Sequence, residues 1–256
     1  MLAGKIIDKI ESFAPTHLAC GWDNPGLLVG SRNAEVSKVL LALDINIKTV
    51  QEAISKDCQM IVSHHPLFLS GIKKVDFDTP DGALIKLLIE NNITAFAAHT
   101  NMDAAEGGIN QTLAKMFELS DIGILEPTAD GLGIGRYGNL PEEITADELA
   151  DKVLARLNTP FLRISGKRNV KRLAICSGGG GDYVRYAKEN NCDCLLTGDV
   201  KYHHALDGRD LGICVIDAGH FPTEKLVCEI FKDILADEPI ELIISDDKDI
   251  FEIFVH

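Results

Sequence analysis

The sequence predicts an α/β protein made of two similar three-layer domains. Short apolar runs, typical of buried strands, alternate with amphipathic helices, and this alternation occurs twice along the chain. It is interrupted once, after Pro127, by a turn-rich stretch that contains Gly131, Gly133, Gly135 and Gly138. With 256 residues, the chain is long enough for two domains of ordinary size.

The first half begins with a helix and continues with alternating strands and helices. Ile6, Ile7, Ile10 and Phe13 recur at helical spacing, and Pro15 ends that helix. The next apolar runs are short and predict buried strands at 39–43, 60–62 and 93–98. Helical spacing and a Thr-Pro start signal predict the helices between them at 47–54 and 79–88.

The second half repeats this alternation. Thr145 and Glu148 have the spacing of a capping box, which predicts a helix through Leu157. Strands are then predicted at 172–176, 192–196 and 213–216. Apolar runs at 240–245 and 250–255 predict a strand hairpin that returns to the first sheet. The predicted domains are residues 1–127 plus 236–256, and residues 128–235, so the second is inserted before the final strands of the first.

Six of the eight histidines lie in four short segments. In the first half, the pair His64-His65 follows one predicted strand, and the segment His99–Asp103 follows the next. In the second half, the pair His203-His204 is followed by the segment His220–Glu224. Each half therefore supplies a His-His pair and a histidine with a carboxylate four residues later, which indicates an internal duplication.

These segments predict a metal centre. Imidazole and carboxylate are the usual ligands of divalent first-row metals, and the carboxyl ends of strands are where α/β sheets bind ligands. One metal needs about three or four ligands and the chain offers more, so two metals about 3.5–4 Å apart with a bridging carboxylate are predicted. No cysteine lies in the segments, which disfavours a structural zinc site and leaves Zn, Mn, Fe, Ni or Co as candidates.

Several roles stay open at the level of the sequence. His99 either binds the metal or hydrogen-bonds a residue that does. His203 and His204 either face a substrate or support a ligand. The loop Gly178–Gly181 either cradles a phosphate or is a plain turn. The remaining two histidines are predicted to lie on the surface: His17 and His256.

The overall composition excludes several classes of protein. A formal net charge of −14 argues against broad nucleic-acid binding, which draws on clustered Lys and Arg. The first residues do not resemble a signal peptide, and no apolar run approaches the ~18 residues needed to span a bilayer. The seven cysteines are scattered without paired spacing, which predicts reduced thiols and a cytoplasmic location.

Five motifs resemble those of one known family, the type 2 GTP cyclohydrolase I homologues. These are dinuclear metal-centre proteins related to a yeast transcription-factor-interacting protein. The motifs are Gly21–Leu27, Ser63–Leu67, His99–Asp103, Thr197–Asp199 together with His203-His204, and Gly219–Glu224. Asp199 stands where the family more often has Glu. The resemblance covers essentially the whole chain.

The resemblance implies an architecture and a ligand set. It implies two α/β domains, one inserted into the other, and a toroidal homohexamer arranged as a trimer of dimers with metal sites facing an internal cavity. It implies two divalent metal ions per chain, with Glu224 as the bridge. The implied ligands are His64, His65, Asp103, His220 and Glu224.

The leading functional hypothesis is a metal-dependent hydrolase acting on a nucleotide-like substrate. In the GTP case, water activated by the metal attacks C8 of the guanine ring and opens the imidazole. His203, His204 and Asp199 are the candidate proton-transfer residues. Two alternatives remain: another metal-assisted hydrolysis such as phosphoester cleavage, and a non-catalytic metal-binding ring that binds a protein partner or buffers metal.

Overall fold

A computed structural model describes residues 1–254 and confirms a mixed α/β fold with two sheets. The strands of this region are β1 (Gly26–Val29), β2 (Lys38–Ala42), β3 (Met60–Ser63), β4 (Thr94–Ala97), β5 (Ser120–Ala129), β6 (Leu132–Thr145), β7 (Arg163–Ser165), β8 (Asn169–Ile175), β9 (Cys194–Thr197), β10 (Cys214–Asp217) and β11 (Glu241–Ile244). The α-helices are α1 (Ala3–Phe13), α2 (Ile47–Ser55), α3 (Pro80–Glu90), α4 (Thr100–Ala104), α5 (Ile109–Met116), α6 (Ala146–Leu157), α7 (Val184–Glu189), α8 (Tyr202–Leu211), α9 (His220–Glu224) and α10 (Val227–Ile234).

The chain divides into two compact units. The first contains Met1–Ala105 and the chain from Val227 onward, and the second contains Glu106–Leu226. The sequence placed these limits at 127/128 and 235/236. The glycine-rich stretch that follows residue 127 belongs to the second unit, where it forms part of a long β-hairpin.

The first unit is a five-stranded sheet in the order β1-β4-β3-β2-β11. All neighbours pair in parallel except β1, which runs antiparallel to β4. One face of the sheet packs against α2 and α3 through a cluster of buried residues that includes Leu40, Ile61, Val50 and Leu88. Helix α10 also packs against β2 and β11 of this sheet, and α1 packs against α10. Because β3 and β4 are buried throughout, their carboxyl ends are held rigidly.

The second unit is a six-stranded sheet in the order β5-β6-β8-β9-β10-β7. Its central strands β8, β9 and β10 pair in parallel, and the outer strands run antiparallel to their neighbours. Helix α6 begins with the predicted capping box, in which the Thr145 hydroxyl accepts from the Glu148 N–H and the Glu148 carboxylate accepts from the Thr145 N–H.

Strands β5 and β6 form a hairpin that the sequence did not predict. Their connection is Asp130-Gly131, and both residues have positive φ, 52° and 72°. Asp-Gly is a preferred pair for a two-residue turn of this kind. Gly133 lies where a Cβ would approach the Glu126 carbonyl oxygen to 2.0 Å, so these glycines allow close strand pairing.

The two units share a strand order. Read from the antiparallel edge, the first sheet runs β1, β4, β3, β2, and the second runs β7, β10, β9, β8. In each, the edge strand precedes the three parallel strands along the chain. This correspondence supports the internal duplication, which stays a prediction.

The end of the first unit differs from its prediction. β11 returns to the first sheet as expected, and it pairs in parallel with β2. Residues 250–254 are not in a strand. The chain directly after β11 is held to α2, where the Ser245 hydroxyl and the Asp246 N–H donate to Glu52 at 2.7 and 3.1 Å. The prediction of a strand hairpin is therefore wrong for residues 250–254, and Val255 and His256 lie outside the described residues.

Among residues 1–254, no helix has the length and apolar character needed to cross a membrane.

Candidate metal centre

Three histidines of the first unit meet at the carboxyl ends of two neighbouring strands. His64 and His65 directly follow β3, and His99 lies two residues beyond β4, which pairs with β3 in parallel. One ring nitrogen from each of the three lies within 4.8 Å of the others. The ring centroids are 5.1 to 5.6 Å apart. At this spacing the three histidines could hold a metal ion.

Each of these rings is oriented through its Nδ1 atom. His64 Nδ1 lies 2.9 Å from the Ala98 carbonyl oxygen, and His65 Nδ1 lies 2.8 Å from Asp44 Oδ1. His99 Nδ1 lies 2.7 Å from Asp23 Oδ1. Since carbonyl and carboxylate oxygens accept hydrogen bonds, Nδ1 is the donor in each of these contacts, and Nε2 is the ring nitrogen that they leave available to a ligand. Metal-binding histidines are commonly held in this way.

Asp23 is the anchor of His99. Its side chain is fully buried and also accepts from the N–H and the hydroxyl of Thr100, the first residue of α4. Burial raises the pKa of Asp23, but the hydrogen bonds from His99 and Thr100 outweigh it and lower the pKa to about 2. Trp22 packs its ring edge-on against His99, with centroids 5.9 Å apart. Asp23 is therefore an anion at neutral pH that fixes the orientation of His99.

Helix α4 adds a carboxylate to the three imidazoles. It begins directly after His99, and its first turn places Asp103 Oδ2 at 3.7 Å from His64 Nε2. His64 is fully buried and Asp103 is 8% exposed. A carboxylate facing the Nε2 side of a buried histidine completes a mixed nitrogen and oxygen donor set in this unit.

The second unit has its own group, formed by His220, Glu224 and Asp199. His220 and Glu224 are one helical turn apart on α9, and His220 Nε2 lies 2.8 Å from Glu224 Oε2. On the other side of the ring, Nδ1 lies 2.8 Å from Asp199 Oδ2. Glu224 is only 4% exposed. Here too the Nδ1 side of the histidine is held by a carboxylate, and the Nε2 side faces a potential ligand oxygen.

The glycine loop of the second unit packs against this group. Gly178 has φ +61°, and a Cβ on it would lie 2.0 Å from Glu224 Oε1 and 3.3 Å from His220 Cε1. Its N–H donates to the hydroxyl of Thr223 at 3.0 Å, and its carbonyl accepts from the Gly198 N–H at 2.8 Å. The loop thus forms the support behind Glu224, and only glycine fits at 178.

The chain's relatives agree with this reading of the motifs. A family model described as Duf34/NIF3 (NGG1p interacting factor 3) matches residues 1–249. The chain belongs to the Duf34/NIF3 family. The resemblance predicted from the five motifs is thereby confirmed.

Individual relatives match the Duf34/NIF3 chain over most of their length. Two are named "GTP cyclohydrolase 1 type 2 homolog". The one from Clostridium acetobutylicum is 38% identical over 220 residues, covering 84% of this chain and 82% of the relative. The one from Clostridium perfringens is 36% identical over 261 residues, covering 98% and 99%. The crystal structure of a Bacillus cereus protein related to NIF3 has a TM-score of 0.94 at 26% identity, covering 100% of this chain and 99% of that one.

The predicted ligands of this Duf34/NIF3 chain fall into two groups. His64, His65 and Asp103 lie together in the first unit, with His99 beside them. His220 and Glu224 lie together in the second. The structure therefore gathers the predicted residues within each unit and adds His99 to the first group.

The three predicted proton-transfer residues have different surroundings in the Duf34/NIF3 structure. His203 is exposed in the first turn of α8, its ring packed edge-on against Tyr202. His204 Nε2 lies 2.9 Å from Asp182 Oδ1, and a Cβ on Gly181 would meet His204 Nδ1 at 2.1 Å, so this ring packs on the glycine loop. Asp199 holds His220. The pair His203-His204 does not stand at a strand end, because β9 ends at Thr197.

Two side chains that orient candidate ligands were not identified from the sequence. Asp44 lies two residues beyond β2, as His65 lies two residues beyond β3, so the same rule about strand ends could have found it. Asp23 lies in a motif that was recognised but given no role. Its partner His99 is 76 residues away along the chain, and no local pattern connects the two.

Proposed function

We propose that the protein binds two divalent metal ions and acts as a metal-dependent hydrolase on a nucleotide-like substrate. The observation that carries the proposal is the arrangement of His64, His65 and His99, whose Nδ1 atoms are held by acceptors while one ring nitrogen of each converges with the others. Three imidazoles gathered at one place, each oriented by its own hydrogen bond, serve no packing purpose that apolar side chains would not serve better.

The proposed ligands are the predicted five, with His99 added to the first group. They are His64, His65, Asp103, His220 and Glu224, and Glu224 is the proposed bridge. A bound divalent metal supplies a water of lowered pKa and a Lewis acid for the substrate oxygen. Asp44, Asp23 and Asp199 fix the rings of His65, His99 and His220, so the donor atoms need little rearrangement when the metal binds.

The proposed reaction is hydrolysis of a nucleotide, with GTP as the first candidate because the relatives are named as GTP cyclohydrolase 1 type 2 homologues. Asp199 and His204 are both engaged by neighbouring side chains, and we assign them the orientation of His220 and of the glycine loop. His203 is exposed and is the proposed residue for exchanging the proton with solvent.

Metal content tests the first part of the proposal. Protein purified without chelator is expected to carry close to two divalent ions per chain by elemental analysis. His65→Ala and Glu224→Ala are expected to fall below one, because each removes a donor that no neighbour replaces. His17→Ala, an exposed histidine outside both groups, should keep the full content. Metal far below one ion per chain, unchanged in the two site variants, would remove the basis of the proposal.

Turnover separates the hydrolase from a second candidate, a non-catalytic metal-binding ring. That candidate is favoured by the engagement of Asp199 and His204, which leaves few groups at the site to move protons. The hydrolase predicts metal-dependent consumption of GTP, or of another nucleotide or phosphodiester in a panel, that is lost in Glu224→Ala. Intact metal content with no turnover above that variant on any substrate would favour the scaffold.

The same preparations test the proposed assembly and location. The homohexamer implied by the family resemblance predicts a molar mass of about six chains of 27.9 kDa by light scattering. A monomer or dimer would overturn the ring. The seven cysteines all lie within residues 1–254 and none of them is in a disulfide, which is consistent with the proposed cytoplasmic location.

A further inference from the structure

A cationic pocket lies in the second unit, next to the residues that hold His220. It is a cavity of about 190 Å³ whose lining includes apolar residues together with Arg163, Lys201, Tyr202 and Asp217. The volume is below the roughly 300–1,000 Å³ of pockets that enclose a whole drug-sized ligand. It is therefore suited to one end of a ligand rather than to an entire molecule.

Arg163 is preorganised in this pocket and keeps part of its donor capacity. Its Nη2 donates to the Val200 carbonyl oxygen at 3.0 Å and to Asp217. A guanidinium has five N–H donors, and within residues 1–254 the Nε and Nη1 groups of Arg163 have no protein acceptor. A guanidinium fixed on one side and open on the other is the usual means of gripping a phosphate or carboxylate.

Lys201 and Tyr202 supply a second charge and an aromatic surface. In the described part of the chain Lys201 forms no ion pair, and the Tyr202 side chain is 77% exposed at the start of α8. Asp217 also lines the cavity and pairs with Arg163, so the pocket carries one net positive charge, that of Lys201. In a chain with a net charge of −14, this makes a local site for an anion that the rest of the surface repels. The Tyr202 ring offers a face for stacking a planar base.

Asp217 connects the pocket to the candidate metal ligands. It is 5% exposed, and its Oδ2 accepts from Arg163 and from the Val200 N–H at 3.1 Å. Its Oδ1 accepts from the Gly219 N–H, also at 3.1 Å. Val200 directly follows Asp199, and Gly219 directly precedes His220. One buried carboxylate therefore holds the pocket wall and the segment that carries His220 in a fixed arrangement.

We propose that this pocket binds the phosphate end of a nucleotide, with the phosphate between Arg163 and Lys201 and the base stacked on Tyr202. The inference rests on the proposed function and names the part of the site that recognises the substrate. It supplies the local positive charge that a phosphorylated substrate needs on an otherwise acidic protein.

Calorimetric titration with guanosine monophosphate, guanosine and inorganic phosphate tests the pocket. Lys201→Gln is expected to weaken the binding of the monophosphate by about tenfold and to leave guanosine unaffected, since only the charge-assisted contact is lost. Tyr202→Ala should weaken the monophosphate and guanosine but not inorganic phosphate. Lys188→Gln, which removes a charge that is also exposed, from α7, is the matched control and should bind as the unmodified protein does.

The design keeps this inference separate from the metal proposal. Binding of the monophosphate should persist in His220→Ala, in which a metal ligand is removed and the pocket is kept. Loss of binding in His220→Ala, or equal affinity in Lys201→Gln and Lys188→Gln, would overturn the phosphate pocket. Metal content in Lys201→Gln should equal that of the unmodified protein, so failure of the pocket leaves the metal proposal standing. If Lys201→Gln weakened binding of the monophosphate in a protein that proved to bind no metal, the phosphate pocket would be supported and the metal proposal would not.

Discussion

Replacing Asp23 with asparagine is expected to weaken metal binding by about 10- to 100-fold, the usual effect of removing a partner that orients a ligand histidine. The two carboxylate oxygens of Asp23 accept hydrogen bonds from His99 Nδ1 and from the N–H and the hydroxyl of Thr100. An asparagine at 23 has only one acceptor oxygen, and its amide would point hydrogens at a donor. The His99 ring would then lose the orientation that brings one of its nitrogens within 4.8 Å of those of His64 and His65.

The same variant is expected to be less stable in a pH-dependent way. The pKa of Asp23 falls from 3.8 to about 2 in the folded protein, which corresponds to about 2 kcal/mol of stability. Because the folded pKa is the lower one, this stability is fully present above pH 3.8 and is lost as the pH falls towards 2. Metal-free Asp23→Asn should therefore melt several degrees below the unmodified protein at pH 7, and the gap should narrow between pH 4 and pH 2.

Two measurements check this prediction. Competition with a chelator of known affinity gives the metal dissociation constant, and melting curves over the pH range give the stability difference. Asp57→Asn is the matched control, because Asp57 is exposed and its φ of 55° is one that asparagine also adopts. A melting gap that stays constant with pH, or a metal affinity equal to that of the control, would contradict the assigned role of Asp23.

Asp23 also illustrates why part of the site could not be predicted from the sequence. The strand ends that carry His64, His65 and His220 were predictable, because short apolar runs and the residues after them are local features. The partners that orient these rings are not local: Asp44 is 21 residues from His65, and Ala98 is 34 residues from His64. They become neighbours only through the strand order β4-β3-β2, which the apolar pattern does not specify.

The fold shows a similar division between local and non-local information. Strands β3, β4, β9 and β10 were predicted because they are buried throughout and form continuous apolar runs. The β5–β6 hairpin was taken for a domain boundary because its glycines dominate the composition. Within that stretch, the Asp130-Gly131 pair is a signal for a two-residue hairpin turn. This pair is a better guide to the structure than the number of glycines around it.

The glycine loop behind Glu224 provides the second large effect. Gly178→Ala is expected to destabilise the protein by about 3 kcal/mol. About 1 kcal/mol of this comes from placing a Cβ at a φ of +61°, and the rest comes from the contact with Glu224. Glu224 cannot yield cheaply, because it is 4% exposed and its other oxygen lies 2.8 Å from His220 Nε2. Displacing it should also weaken metal binding by about tenfold or more, as loss of ligand orientation does elsewhere.

Gly131→Ala separates the two contributions. Gly131 has a similar φ of +72°, but a Cβ there would meet nothing within 4 Å. It should therefore show the backbone strain alone, about 1 kcal/mol, with a melting temperature lowered by about 2–4 °C and an unchanged metal affinity. Gly178→Ala should lower the melting temperature by roughly 6–12 °C. If both variants had the same melting temperature and the same metal affinity, the backbone strain common to both positions would account for the whole effect. The loop would then not be the support of Glu224.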